Sequence, residues 1–156
     1  MKKELNFGWM LFLSFMTMLS SCSSNDDDGG SNSNATEIAA IENTVESGSW
    51  RITYFYDTDS DETNNFTGYT FSFGSDGVLT ASNATNTHTG SWSITDSSSS
   101  SSSSDDIDFN IAFSAPPNFE ELSDDWEIIM RSSTKIELID ISGGNGGTDY
   151  LTFEKN

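Results

Sequence analysis

Nucleophilic catalysis needs a serine or cysteine beside a base, and this chain offers one histidine, His88, and one cysteine, Cys22. His88 lies in a threonine-rich stretch without the cysteine or carboxylate spacing of a zinc site. Serines abound, yet no Gly-x-Ser-x-Gly elbow precedes a helix. Glu120-Glu121 and Asp124-Asp125 are sequence neighbours, which point apart rather than flank one substrate bond. Asp57-Thr58-Asp59-Ser60-Asp61-Glu62 starts like a calcium loop, with carboxylates at its first, third and fifth positions. Such a loop next needs a glycine for its turn and a closing glutamate, where this chain has Glu62 and Gly68. Asp57, Asp59 and Asp61 are therefore weak metal candidates in a loop that reads as a solvated connection. Gly143-Gly144-Asn145-Gly146-Gly147-Thr148-Asp149 brings its aspartate one residue late for a calcium-binding nonapeptide, and a β-roll requires tandem copies. The expectation is no catalytic site, no dedicated metal site and no cofactor.

Cys22 carries a different chemistry. It follows a basic start at Lys2-Lys3 and an apolar run from Leu5 to Leu19, diluted by Ser14 and Thr17. That run is about 15 residues long, short of the roughly 20 that a permanent membrane span requires. Leu19-Ser20-Ser21-Cys22 resembles the lipobox of the bacterial lipoprotein signal family. The resemblance implies that residues 1–21 are removed and that the Cys22 sulfur takes a diacylglyceryl group. Each buried CH₂ contributes about 0.8 kcal/mol, so several acyl chains hold a protein on a membrane without a spanning segment. A plain secreted protein is the alternative. Ser23-Ser24-Asn25-Asp26-Asp27-Asp28-Gly29-Gly30 is similar to the export signal of Bacteroidota lipoproteins, which implies the cell-surface face of the outer membrane. The periplasmic face is the other reading. Residues 22–34 make a flexible acidic tether of about 20 Å at random-coil dimensions.

The chain has 156 residues, 25 of them acidic and 6 basic. Loss of Lys2, Lys3 and Glu4 leaves Arg51, Arg131, Lys135 and Lys155 against 24 carboxylates, a net charge of −20. Phosphate binding needs a cationic footprint, so nucleic acid is excluded as a partner. Docking to anionic lipid headgroups is disfavoured by the same sign. Repulsion favours a soluble monomer. Without an intramolecular disulfide, residues 35–156 must fold as one domain on their core alone.

The elements follow from periodicity. Asn34 to Glu46 predicts a short helix, with Asn34 as N-cap, Glu37 completing a capping box, and Ile38, Ile41 and Val45 on one face. Trp50, Ile52, Tyr54 and Tyr56 share a face of a first strand, and Asp57 to Asn65 is a polar loop. Tyr69, Phe71 and Phe73 mark the second strand, Val78 to Ala81 the third, and Thr87 to Ile94 the fourth. Residues 97–106, mostly serine, form a low-complexity excursion expected to be disordered. Ile107 to Phe113 is the fifth strand, ended by Pro116-Pro117, with one helical turn over Phe119 to Leu122. Trp126, Ile128 and Met130 give the sixth. In the seventh, Lys135 to Ile141, a bulge near Leu138-Ile139 would bring Ile136, Leu138, Ile139 and Ile141 all to the core side. Tyr150 to Glu154 is the eighth. Eight short strands on hairpin-length turns favour an all-β, up-and-down antiparallel barrel, which removes its edges by closing. A two-sheet sandwich is the alternative.

Gly48-Ser49-Trp50, just after the helix, resembles the G-x-W signature of the lipocalin and calycin barrels, and Gly90-Ser91-Trp92 repeats it. From Gly48 through Phe153 the pattern is similar to lipocalin-like domains in flavobacterial lipoproteins of the Bacteroidota. The resemblance implies a late arginine packed across the first tryptophan, a position that Arg131 matches. It also implies a small ligand inside the barrel, a hydrophobic one among the options, with Trp50, Tyr54, Tyr69, Phe71, Trp92, Phe109 and Trp126 as the lining. The alternative is that those side chains fill the barrel, leaving a non-catalytic surface interaction or accessory module.

Overall fold

The computed structural model describes residues 31–97, 107–142 and 147–156. The signal segment, Cys22, most of the tether and the serine run Ser98–Ser104 lie outside the described residues.

Strand β1 (Trp50–Asp57) is followed by β2 (Ser60–Asp61), β3 (Thr70–Phe73), β4 (Val78–Ser82) and β5 (Thr87–Asp96). After the serine run come β6 (Ile107–Ala112), β7 (Asp124–Arg131), β8 (Lys135–Ile141) and β9 (Thr148–Lys155). Neighbours in sequence pair antiparallel from β3 to β9, and β9 pairs back onto β1. The result is a closed eight-stranded barrel, with the two-residue β2 as an outrigger on β1. Closure excludes the sandwich.

Helix α1 (Ser31–Glu46) lies across one end. It starts ahead of the expected cap, so Asn34 is inside the helix and its amide donates to Asp96 at the end of β5, 3.0 Å away. Glu37, expected to close a capping box, instead pairs with Arg131 at the end of β7. Ile41 and Val45 are buried, and Ile38 packs against the core. The helix stops where Gly48 takes φ +101°, a left-handed conformation suited to glycine. The chain thereby turns Trp50 beneath the helix, where its indole N–H donates to the Val45 carbonyl at 2.8 Å. The cation over the Trp50 ring is Lys155, with Nζ 5.0 Å from the ring centre, and not Arg131.

At the other end the expected polar loop is partly ordered. It contains β2 and a 3₁₀ turn (Thr63–Phe66) that buries Phe66. Helix α2 (Pro117–Glu120) adds Phe119, and Leu122 follows it; both are fully buried. Ser123 fastens this excursion by accepting from the Phe113 amide and donating to the Phe113 carbonyl. The Trp126 indole donates to the Leu122 carbonyl at 3.1 Å.

Two bulges correct the strand patterns. Ile52 pairs with Phe153 and Tyr54 with Thr152, so Thr53 is an extra residue in β1. Beyond it Phe55 faces the core, while Tyr54 is 40% exposed and Tyr56 faces outward with it. In β7, Ile128 pairs with Leu138 and Met130 with Glu137, leaving Ile129 as the extra residue. Met130 is thereby turned out of the core, 39% exposed. The bulge expected in β8 is absent: its ladder with β9 is continuous from Lys135 to Ile141. Strict alternation puts Ile136 and Leu138 inside, and Ile139 and Ile141 on the outer face.

Both Gly-x-Trp tripeptides have structural reasons. The Trp92 indole donates to the Gly74 carbonyl at 3.0 Å. At Gly90 an added Cβ would meet the Ala112 carbonyl oxygen and lie 2.8 Å from Cδ1 of Phe113. Gly90→Ala is therefore expected to destabilise the barrel by about 2 kcal/mol, as overpacking does, in a denaturant titration. An unchanged midpoint would show that β5 and β6 can separate there without cost.

Candidate functional site

The barrel interior is occupied by side chains. Trp50, Phe71, Trp92, Phe109 and Trp126 are all buried in one hydrophobic core. Phe73 makes edge-on contacts with Trp92, Phe109 and Phe153 at 5.3, 5.7 and 5.5 Å between ring centres. Phe66 and Phe119 meet at 5.2 Å and close the α2 end. Of the expected lining residues, Tyr69 stands at the rim. Its hydroxyl lies 3.2 Å from Nε2 of His88, and the His88 ring rests 4.6 Å from that of Phe119. Tyr54 is outside the barrel altogether. Three hollows, of about 280, 470 and 380 Å³, open on the surface: between α1 and β7, over β5 and β6, and between β1 and β3.

Charge is sorted between the two ends. Arg51 pairs with Glu154, Arg131 with Glu37 and Lys135 with Glu137, while Lys155 covers Trp50. All four cations sit at the strand ends nearest α1. The α2 end carries Asp57, Asp59, Asp61 and Glu62 on one loop, Glu120, Glu121, Asp124 and Asp125 around α2, and Asp140 and Asp149 on β8 and β9. The Thr63 hydroxyl and amide hold the Asp61 carboxyl below its ordinary range. Desolvation pushes Glu121 up, with Asp57 and Glu62 adding repulsion.

Asp124, Asp140 and Asp149 bring one carboxylate oxygen each within 4.8 Å of one another. These are donors of the hard type that calcium takes, although calcium collects roughly six to eight. Each carboxylate also accepts a local hydrogen bond, from the Asp125 amide, the Ser142 hydroxyl and the Thr58 amide respectively. The last bond ties Asp149 to the loop of the sequence-predicted metal candidates. Asp57, Asp59 and Asp61 do not join the cluster of three.

A third arrangement, on the outer wall, escaped the sequence reading. The registers put Asp61, Tyr56, Tyr150, Ile139 and Glu127 in one row across β2, β1, β9, β8 and β7. Tyr54, Thr152, Glu137 and Met130 form the next row. The Tyr54 ring lies 6.4 Å from that of Tyr56 and 6.5 Å from that of Tyr150. Ile129 and Ile141, 54% and 62% exposed, extend the patch. The signal was present in Tyr54-Phe55-Tyr56 and in Ile136 to Ile141, where apolar residues occupy both parities of a strand. One parity of such a strand must face out unless the strand bulges.

The fold is thus that of closed antiparallel β-barrels with helices across both ends. No family model matches the chain, and no curated protein matches it. Among solved structures it is similar to a DUF4847 family protein from Bacteroides vulgatus, at 20% identity. That likeness covers 74% of this chain and 97% of the other, with a TM-score of 0.49.

Burial raises the Asp124 carboxyl from 3.8 to about 6, against the bond from the Asp125 amide and helped by the charges of Asp140 and Asp125. Its folded value lies above its unfolded one, so between about pH 4 and 6 the folded state holds the extra proton. Stability therefore falls as pH rises through that window. Asp124 keeps contact with water, which screens the penalty at neutral pH to on the order of 1 kcal/mol. Asp124→Asn is expected to recover about that much at pH 7 and nothing below about pH 4. Parallel unfolding curves at the two pH values check this, and an equal gain at both would assign it to packing.

Proposed function

We propose that this protein is a lipid-anchored, non-catalytic interaction module of the bacterial cell surface. The observation that carries this reading is the filled barrel: aromatic side chains occupy the space in which a carrier would hold its ligand. Function then belongs to the outside, to the acidic α2 end and the wall of tyrosines and isoleucines. His88, packed between Tyr69 and Phe119, reads as a rim residue rather than a general base.

The anchor reading rests on the Leu-Ser-Ser-Cys motif and on the order of the parts. The tether enters α1, so Cys22 would hold the α1 end toward the membrane and leave the acidic end facing away. Repulsion from anionic headgroups favours the same orientation. The Bacteroidota-type acidic stretch after Cys22 supports display on the outer face.

Two measurements test this. Cys22→Ala is expected to move the protein from the membrane fraction to the soluble one, and protease added to intact cells is expected to cleave the wild type. A membrane-bound Cys22→Ala variant would overturn the anchor, and full protection from protease would overturn display. A hydrophobic fluorescent probe should show no saturable uptake by the barrel. Saturable uptake that Trp92→Ala alters would restore the carrier reading.

A further inference from the structure

The outer wall of the barrel is chemically lopsided. Across β3 to β6 the outward rows are mostly polar, as in Ser72-Thr80-Thr89 and Thr95-Asp108, with a lone exposed Val78 beside Ser91 and Ala112. Across β1, β9, β8 and β7 the paired charges Arg51-Glu154-Lys135 form a row toward α1, the next two rows are Tyr54-Thr152-Glu137-Met130 and Tyr56-Tyr150-Ile139, and each bulge turns an apolar side chain onto this wall. Three of the chain's four tyrosines gather there. Burial in the core would have kept these groups from water, and the fold leaves them outside.

We infer that this wall is the docking surface for a basic segment of a partner protein, apolar side chains flanked by lysine or arginine. The inference rests on the interaction-module reading and names its surface and partner class. Charge complementarity selects the occupant. Asp61 and Glu127 end the row Tyr56-Tyr150-Ile139, and Asp57 adjoins Tyr56. Lysine or arginine on a partner would meet carboxylates at both ends and a tyrosine face between them. Size selects a segment over a second copy. Four strands at about 4.8 Å spacing and two or three side-chain rows give a patch on the order of 300 Å². A stable protein–protein interface needs roughly 800 Å² per partner. A second copy would also set carboxylate against carboxylate. An apolar patch of a few hundred Å², the largest that a monomer ordinarily exposes, is often functional.

The test uses the full chain carrying Cys22→Ser, so that binding does not depend on anchoring. The probe is a short synthetic peptide alternating lysine and leucine, with serine-for-lysine and glutamate-for-lysine counterparts. The lysine peptide is expected to bind, shifting amide resonances confined to β1, β7, β8 and β9. Tyr56→Ser with Tyr150→Ser should weaken binding about tenfold. Asp61→Asn with Glu127→Gln should weaken it and flatten its salt dependence. The second pair removes no buried side chain, so it decides the matter if the first pair fails to fold. Glu42→Gln with Asp76→Asn, away from the wall, should bind like the wild type. Equal weakening by that distant pair, or equal binding by all variants, would overturn the inference in favour of diffuse charge. Equal affinity for the serine peptide would overturn the basic partner. Patch-dependent self-association would assign the wall to a second copy, and amide shifts with a maltodextrin but not the peptide would assign it to carbohydrate. None of these results bears on whether Cys22 anchors the protein.

Discussion

Strand β1 must hydrogen-bond on both edges for the barrel to exist, and the rest of the structure follows from how it does so. It pairs with β9 from Trp50 to Tyr56, yet with β3 only at Trp50–Phe71. Its far half turns instead to β2 and to Thr63, whose hydroxyl accepts from the Phe55 amide at 2.9 Å. A barrel seam with so short a direct ladder needs filling. Phe66 fills it from the 3₁₀ turn, edge-on to Phe55 at 5.5 Å. The extra residue at Thr53 is the same constraint seen from the other edge, because it lets Phe55 meet Phe66. In doing so it turns Tyr54 and Tyr56 to the outer face, where Tyr54 is exposed and Tyr56 half-buried.

Much of this was legible in the residues. Alternation located the eight barrel strands, because a half-buried strand shows its buried parity plainly. The two Gly-x-Trp tripeptides marked places where a strand start must pack closely. What periodicity could not show was the position of a bulge. Tyr54 and Tyr56 continue the phase of Trp50 and Ile52, and a single extra residue reverses them. In β8 the error ran the other way, since four apolar residues invited a bulge that the continuous ladder with β9 does not contain. The extra residue falls across the sheet, at Ile129 of β7. There it aims Arg131 at Glu37 of α1, an ion pair 94 residues apart that fastens the helix over the barrel. No local pattern announces such a contact. The Asn34 cap failed for a related reason: tertiary bonding to Asp96 outweighed the local capping box.

Charge and shape divide the molecule along one axis. The four cations gather at the α1 end, where each meets a carboxylate or an aromatic ring. The α2 end has carboxylates without cations among the described residues, and there Asp124 and Glu121 resist ionisation. Folding tolerates that repulsion because the apolar side chains beneath it, Phe119 and Leu122, are fully buried. A protein under selection for stability alone has no use for crowding Asp124, Asp140 and Asp149 together, or for leaving isoleucine and tyrosine on an outer wall.

The acidic end and the tyrosine wall adjoin at β1 and β2, where Asp61 pairs with Tyr56. Asp140 and Asp149 pair one residue beyond Ile139 and Tyr150, on the opposite parity, and so face the barrel mouth rather than the wall. Exposed apolar area alone would invite aggregation, and dense negative charge opposes it by keeping like molecules apart. Dense negative charge alone would draw any cation, and the apolar wall adds a requirement that a bare cation cannot meet. A partner satisfying both must be positively charged and apolar at a spacing set by the strands. The pairing of these two features is therefore a stronger constraint on the partner than either is by itself.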